Sequence, residues 1–168
     1  MPITEEAFYQ IIQDTWSSTL GFQVDHADSA EFSTDRAVTV CVKISGAWEG
    51  EVGLHCSPQL ARLIAAAIFQ VHADKVGSCE ILDALSELIH IIGGNLKALL
   101  PRPVELALPT LPDPTPGAKI TPPREMVFML TLQSEGHPFV VTLLRCFPDP
   151  ARVVAQRDGD NRRLPGSL

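Results

Sequence analysis

This sequence predicts an α+β fold: an antiparallel-rich β-sheet with long α-helices packed on one face. Three observations predict it. Several segments alternate apolar and polar residues with a period of two, and "AVTVCVKISG" is the clearest of them. Others repeat apolar residues at helical spacing, as in "ALSELIHIIGGNLKALL". The two kinds come in blocks: one helix, two strands, two helices, then three strands. Segregation of this kind favours a mostly antiparallel sheet with its helices to one side.

The elements follow in order. Thr4 is placed to cap a first helix, with Glu5 and Glu6 well sited in its first turn. Phe8, Ile11, Ile12, Trp16 and Leu20 recur at helical spacing, and Gly21 is the expected stop. "FQVDHADSAEFS" reads as irregular or as a weak strand. Val38, Val40, Val42 and Ile44 then alternate with Thr39, Cys41 and Lys43, and Val52, Leu54 and Cys56 share one side of the next strand. Joined through "SGAWEG", the two form a hairpin. Ser57 followed by Pro58 signals a helix start, with Leu60, Ile64, Ile68 and Val71 as its core stripe. The next helix starts near Ser78 and stops before Pro101. "VELALPT" reads as a third strand. "LPDPTPGAKITPPR" is a Pro-rich loop. "EMVFMLTLQ" and "PFVVTLLRC" flank "SEGH" as a final hairpin. Residues 1–146 are expected to form one domain, and 147–168 a partly disordered C-terminal extension.

With 168 residues the chain is long enough for one domain with a real core. Its formal net charge is −7. Nucleic acid and anionic membranes attract clustered Lys and Arg, so neither is the expected partner. "MPITEEAFYQ" has no basic or apolar leader pattern, and no apolar run reaches the roughly 20 residues that span a bilayer. The four cysteines, Cys41, Cys56, Cys79 and Cys146, are scattered, without a CxxC pair. They read as reduced, mostly buried small hydrophobes of a cytoplasmic protein, and no metal site is indicated.

The chemistry concentrates on the helix between Ser78 and Pro101. At about 100° per residue, Leu85, Leu88, Ile89, Ile92, Leu96 and Leu99 form one stripe and Asp83, Glu87, His90, Gly94 and Lys97 the opposite face. Glu87 and His90, three apart, are neighbours on that face. Such a face is most often simply solvated. Two features argue for more. Each mid-helix glycine of "IIGGN" costs about 1 kcal/mol relative to alanine. Ile91 lies off the core stripe and flanks the polar face with apolar surface, as a docking surface would.

"DALSELIHIIGGNLKALL" followed by "VELALPT" resembles the chemotaxis phosphatase family CheC/CheX/FliY, its CheX-like branch most closely. "SGAWEGEVGLHCSPQLARLIAAAIF" is similar to that family's strand and first long helix. The resemblance implies a protein that docks a phosphorylated CheY-like receiver domain and removes the phosphoryl group from its aspartate. In the family, the glutamate of an E-x-x-N motif pairs with a lysine of the receiver, and the asparagine orients the attacking water. The resemblance assigns no cofactor to this chain, places Mg²⁺ on the receiver, and implies a homodimer joined through its sheets.

Carried over, the motif makes Glu87 and His90 the catalytic candidates; Asp83, Gly94 and Lys97 on the same face of the wheel and Ile91 at its flank are the expected partner-binding residues. Glu87 fills the glutamate position. His90 stands where the family has asparagine. A neutral imidazole still offers one donor and one acceptor, whereas an imidazolium offers donors only. Two readings therefore compete: a phosphatase in which His90 replaces the asparagine, and a surface that docks a receiver without chemistry. A third is a structural or dimerising module. His26 beside Asp25 and Asp28 reads as a solvated loop residue, His72 and His137 as exposed, and Trp16 and Trp48 as packing residues. "LPDPTPGAK" lacks phosphate-loop spacing, and no Ser–His–Asp or Cys–His constellation stands out.

Overall fold

A computed structural model describes residues 3–28, 32–112 and 123–147. Most of the Pro-rich loop, and the expected extension beyond Phe147, lie outside the described residues. The elements run α1 (Glu5–Leu20), β1 (Asp25–His26), β2 (Val38–Gly46), β3 (Gly50–Cys56), α2 (Pro58–Phe69), α3 (Ser78–Lys97), β4 (Val104–Leu106), β5 (Arg124–Ser134) and β6 (His137–Cys146). The strands form one six-stranded sheet in the order β1-β5-β6-β3-β2-β4, and every pairing is antiparallel. This is the predicted α+β fold.

Period-two patterning decides which side of the sheet meets the helices. Val40, Val42, Ile44, Val52, Leu54, Cys56, Phe139, Val141 and Leu143 all lie in the buried core with the helices. The alternate positions, among them Lys43, Glu51, His55 and Met129, point to the other face. The register places Val52 between Val42 and Leu143 across three strands, so one buried row runs through the middle of the sheet. Cross-strand neighbours of this kind are the unit of sheet stabilisation.

The helices begin and end by the expected local chemistry. Thr4 Oγ1 accepts from the Ala7 N–H at 3.1 Å, and Gly21 closes α1 in the left-handed region, φ 71°. Ser57 Oγ accepts from the Leu60 N–H at 3.2 Å to start α2. α2 is shorter than its apolar pattern suggests. Gln70 takes a left-handed conformation, which ends the helix at Phe69 and leaves Val71 exposed instead of in the core. α3 opens with the Gly77 N–H donating to the Glu80 carboxylate at 3.0 Å.

α1 packs by stacking. The Trp16 ring lies 4.5 Å from that of Phe139, nearly parallel, and Phe8 stacks on Phe128 at 6.0 Å. Trp16 is fully buried, and Trp48 is packed against the core. His26, read from sequence as a solvated loop residue, stacks on Tyr9 at 4.3 Å while remaining exposed. "VELALPT" forms only a three-residue strand, because Pro109 interrupts the ladder. Beyond it, Thr110 makes a single bridge to Cys41. None of the helices among the described residues is long and apolar enough to cross a membrane.

Candidate functional site on the outer face of α3

α3 is a 20-residue helix with two unlike sides. Ala84, Leu85, Leu88, Ile89, Ile92 and Leu96 are fully buried. Asp83, Glu87, His90 and Gly94 are exposed, and Ile91 and Lys97 are half-buried at the border. Amphipathic spacing alone produces this division. One member of the apolar stripe departs from it. Leu99 lies past the end of the helix and is 41% exposed, whereas Leu100 is buried. The chain tightens there: the N–H groups of Ala98, Leu99 and Leu100 donate to the carbonyls of Asn95, Leu96 and Lys97 at 3.2, 2.9 and 3.3 Å. Three-residue spacing replaces four, so the wheel turns out of phase.

Glu87 and His90 sit side by side without pairing. Among the described residues the only ion pair is Arg124–Glu51 at 3.6 Å, and no hydrogen bond joins Glu87 to His90. Both polar groups therefore remain available to a visitor.

The two glycines of α3 have different roles. A Cβ on Gly93 would lie 3.0 Å from Val42 Cγ1 and 3.2 Å from Leu106 Cδ2, so this glycine lets the helix sit close on the sheet. A Cβ on Gly94 would meet nothing within 4 Å. Gly94 opens instead into a shallow groove of about 450 Å³, shared with Lys97, Ala98, Arg102, Pro103, Val104 and Glu105. Sequence reasoning passed over Arg102 and Glu105. Arg102 lies in the short link between α3 and β4, whose only local signal is proline, and Glu105 lies within β4, paired with Ser45.

The opposite face of the sheet carries a second polar group that sequence reasoning did not single out. His55 Nδ1 lies 3.0 Å from Thr39 Oγ1, and Nε2 lies 3.4 Å from Thr142 Oγ1. Burial lowers the pKa of His55 from its ordinary value, with the nearby Glu51 pulling the other way. His55 and Cys56 point to opposite faces. Burial raises the Cys41 thiol pKa to about 12, with help from Glu51, and raises that of the fully buried Cys56. Cys146 shifts the same way. Such thiols stay protonated and inert near neutral pH. Cys79 alone is exposed, and His137 is half-buried rather than exposed. Among the described residues no group of three or more His, Cys, Asp or Glu side chains could hold a metal ion.

The chemotaxis phosphatase CheX family model matches residues 38–132, from the start of β2 to within β5. The chain belongs to the CheX family. No curated protein matches by sequence. Among solved structures, CheX from Vibrio vulnificus superposes with a TM-score of 0.66 at 13% identity, covering 84% of this chain and 94% of that one. The CheX–CheY–BeF₃–Mg²⁺ complex from Borrelia burgdorferi gives 0.61 at 15%, covering 84% and 97%. CheX from Desulfovibrio desulfuricans gives 0.59 at 16%, covering 82% and 95%. At these identities the likeness establishes the CheX fold. In this CheX-family chain, α3 is the helix that carries Glu87 and His90.

Proposed function

We propose that this CheX-family protein docks a phosphorylated CheY-like receiver domain on the outer face of α3 and promotes hydrolysis of its aspartyl phosphate. The observation that carries this reading is the pair Glu87 and His90, unpaired and exposed one helical turn apart on a helix whose other side is buried in the core. Glu87 anchors a receiver lysine. His90, as neutral imidazole, accepts a hydrogen bond from the attacking water and holds its lone pair in line with phosphorus. The water oxygen bonds to phosphorus, the bond to the aspartate oxygen breaks, and the products are inorganic phosphate and the free carboxylate. Mg²⁺ belongs to the receiver and offsets charge there. Asp83, Ile91, Gly94 and Lys97 complete the contact.

The structure of a relative bound to CheY supports this choice of partner. In the same reading the protein works in the cytoplasm as a homodimer joined through its sheets. The outer sheet face, with Met126 50% and Met129 58% exposed, fits that assembly. The test is the lifetime of the phosphorylated receivers of the same organism with and without the protein. A lifetime unchanged for every receiver that binds would remove the catalytic half of the proposal. Docking without hydrolysis is then the second reading, and the observation favouring it is the imidazole at position 90, where the family motif has an amide.

A further inference from the structure

We propose that the groove between the end of α3 and the start of β4 receives a carboxylate-bearing acidic segment of the docked receiver domain, held by Lys97 and Arg102. The inference rests on the docking reading above and adds a second anchoring point to it.

Continuity is the first argument. Gly94 lies one turn beyond His90 on the same face, and at 1.5 Å per residue Lys97 is only about 10 Å further along the axis than His90. A domain seated on Glu87 and His90 therefore overhangs the groove. The missing side chain at Gly94 leaves the passage between the two regions open.

Charge is the second. The outer face begins with Asp83 and Glu87 and ends with Lys97 and Arg102, so its sign reverses along its length. In a chain of net charge −7, this basic end is a local departure. Among the described residues neither Lys97 nor Arg102 is in an ion pair. Glu105 lines the same groove, so its formal charge is +2 − 1 = +1. That balance suits a singly charged carboxylate better than a doubly charged phosphate. The planar guanidinium of Arg102 can grip both carboxylate oxygens at once.

The third argument is preorganisation. Arg102 stands between Pro101 and Pro103, whose rings restrict the backbone on both sides. The Pro103 carbonyl accepts from the Ala47 N–H at 2.8 Å, and Val104 pairs with Gly46. The β2–β3 turn thus ties down the groove floor, and little order remains to be imposed when a partner arrives.

The experiment measures binding of the full-length protein to the receiver domains of its organism, each activated with beryllofluoride and Mg²⁺. The double variant Lys97→Ala/Arg102→Ala should bind about tenfold more weakly, and its affinity should depend less steeply on salt. KM for the phosphorylated receiver should rise while kcat stays unchanged, and Arg102→Lys should lose less than Arg102→Ala. If the wild type binds a receiver and the double variant binds it equally well, the groove proposal is overturned while the docking reading stands. If the wild type binds no receiver, both fall together. Inorganic phosphate competing better than acetate at equal ionic strength would overturn the carboxylate assignment. A double variant that loses self-association instead of receiver binding would make the groove an interface between copies and overturn the proposal.

Discussion

Gly93 and Gly94 are adjacent in the chain but have different surroundings: Gly93 lies against Val42 and Leu106 of the sheet, and Gly94 faces open space. Their alanine variants should move stability in opposite directions. Gly94→Ala gains helix propensity and meets no obstacle, so it should stabilise by about 0.5–1 kcal/mol. Gly93→Ala gains the same propensity but drives a methyl group into a fully buried, β-branched Val42. Overpacking of about 1–3 kcal/mol should outweigh the gain. Urea unfolding of the two variants beside the wild type checks the order. Equal stabilisation by both would contradict the close approach at Gly93.

Glu87→Ala should abolish the effect on receiver lifetime and weaken docking, while leaving the unfolding midpoint unchanged. Its side chain is exposed, so the fold has no need of it. A concurrent loss of stability would instead point to a structural role.

His90 separates chemistry from docking. His90→Ala should slow dephosphorylation by about 100-fold, the scale of a lost positioning contact, with receiver affinity nearly unchanged. His90→Asn restores the family amide and should retain activity. A receiver assay of both variants beside the wild type decides this. If His90→Ala matches the wild type, the imidazole takes no part.

The outer face of the sheet should make stability pH-dependent on both sides of neutrality. Burial lowers the His55 pKa, so between its folded value and the ordinary 6.5 only the unfolded chain binds the extra proton. The contribution is complete above pH 6.5 and falls away as pH drops below it. The thiol of Cys41 is raised from 9.0 to about 12, so between those values only the unfolded chain loses the proton. Stability should therefore fall as pH rises past 9. Urea midpoints from pH 5 to 10 should trace a dome. Flattening of its acid side in His55→Gln would assign that arm, and a partial flattening of its alkaline side in Cys41→Ala would assign Cys41 its share beside the raised thiols of Cys56 and Cys146.

The parts of the fold written in short-range chemistry were legible before any coordinates. Thr4, Gly21, Ser57 and Pro58 bound their helices because each cap depends on a side chain within a few residues. The parity of Val38 to Ile44 gave the buried face of β2 for the same reason. Val71 and Leu99 were misplaced because a periodic pattern carries on past a helix end that only backbone geometry sets: the left-handed Gln70 in one case, three-residue hydrogen bonds in the other. The two glycines could be seen as unusual, but the burial of Gly93 depends on Leu106, a contact that only the folded sheet creates. The Thr39–His55–Thr142 group and the groove at Arg102 have no signature in sequence, since their members come from separate strands or from an irregular link.

One helix completes the hydrophobic core and presents the outward-facing residues. Hydrogen exchange along α3 should accordingly be among the slowest in the molecule, because releasing its amides requires the core itself to open. A surface mounted this way has little conformational freedom to lose when it is covered. It also cannot be removed by local melting without unfolding the protein.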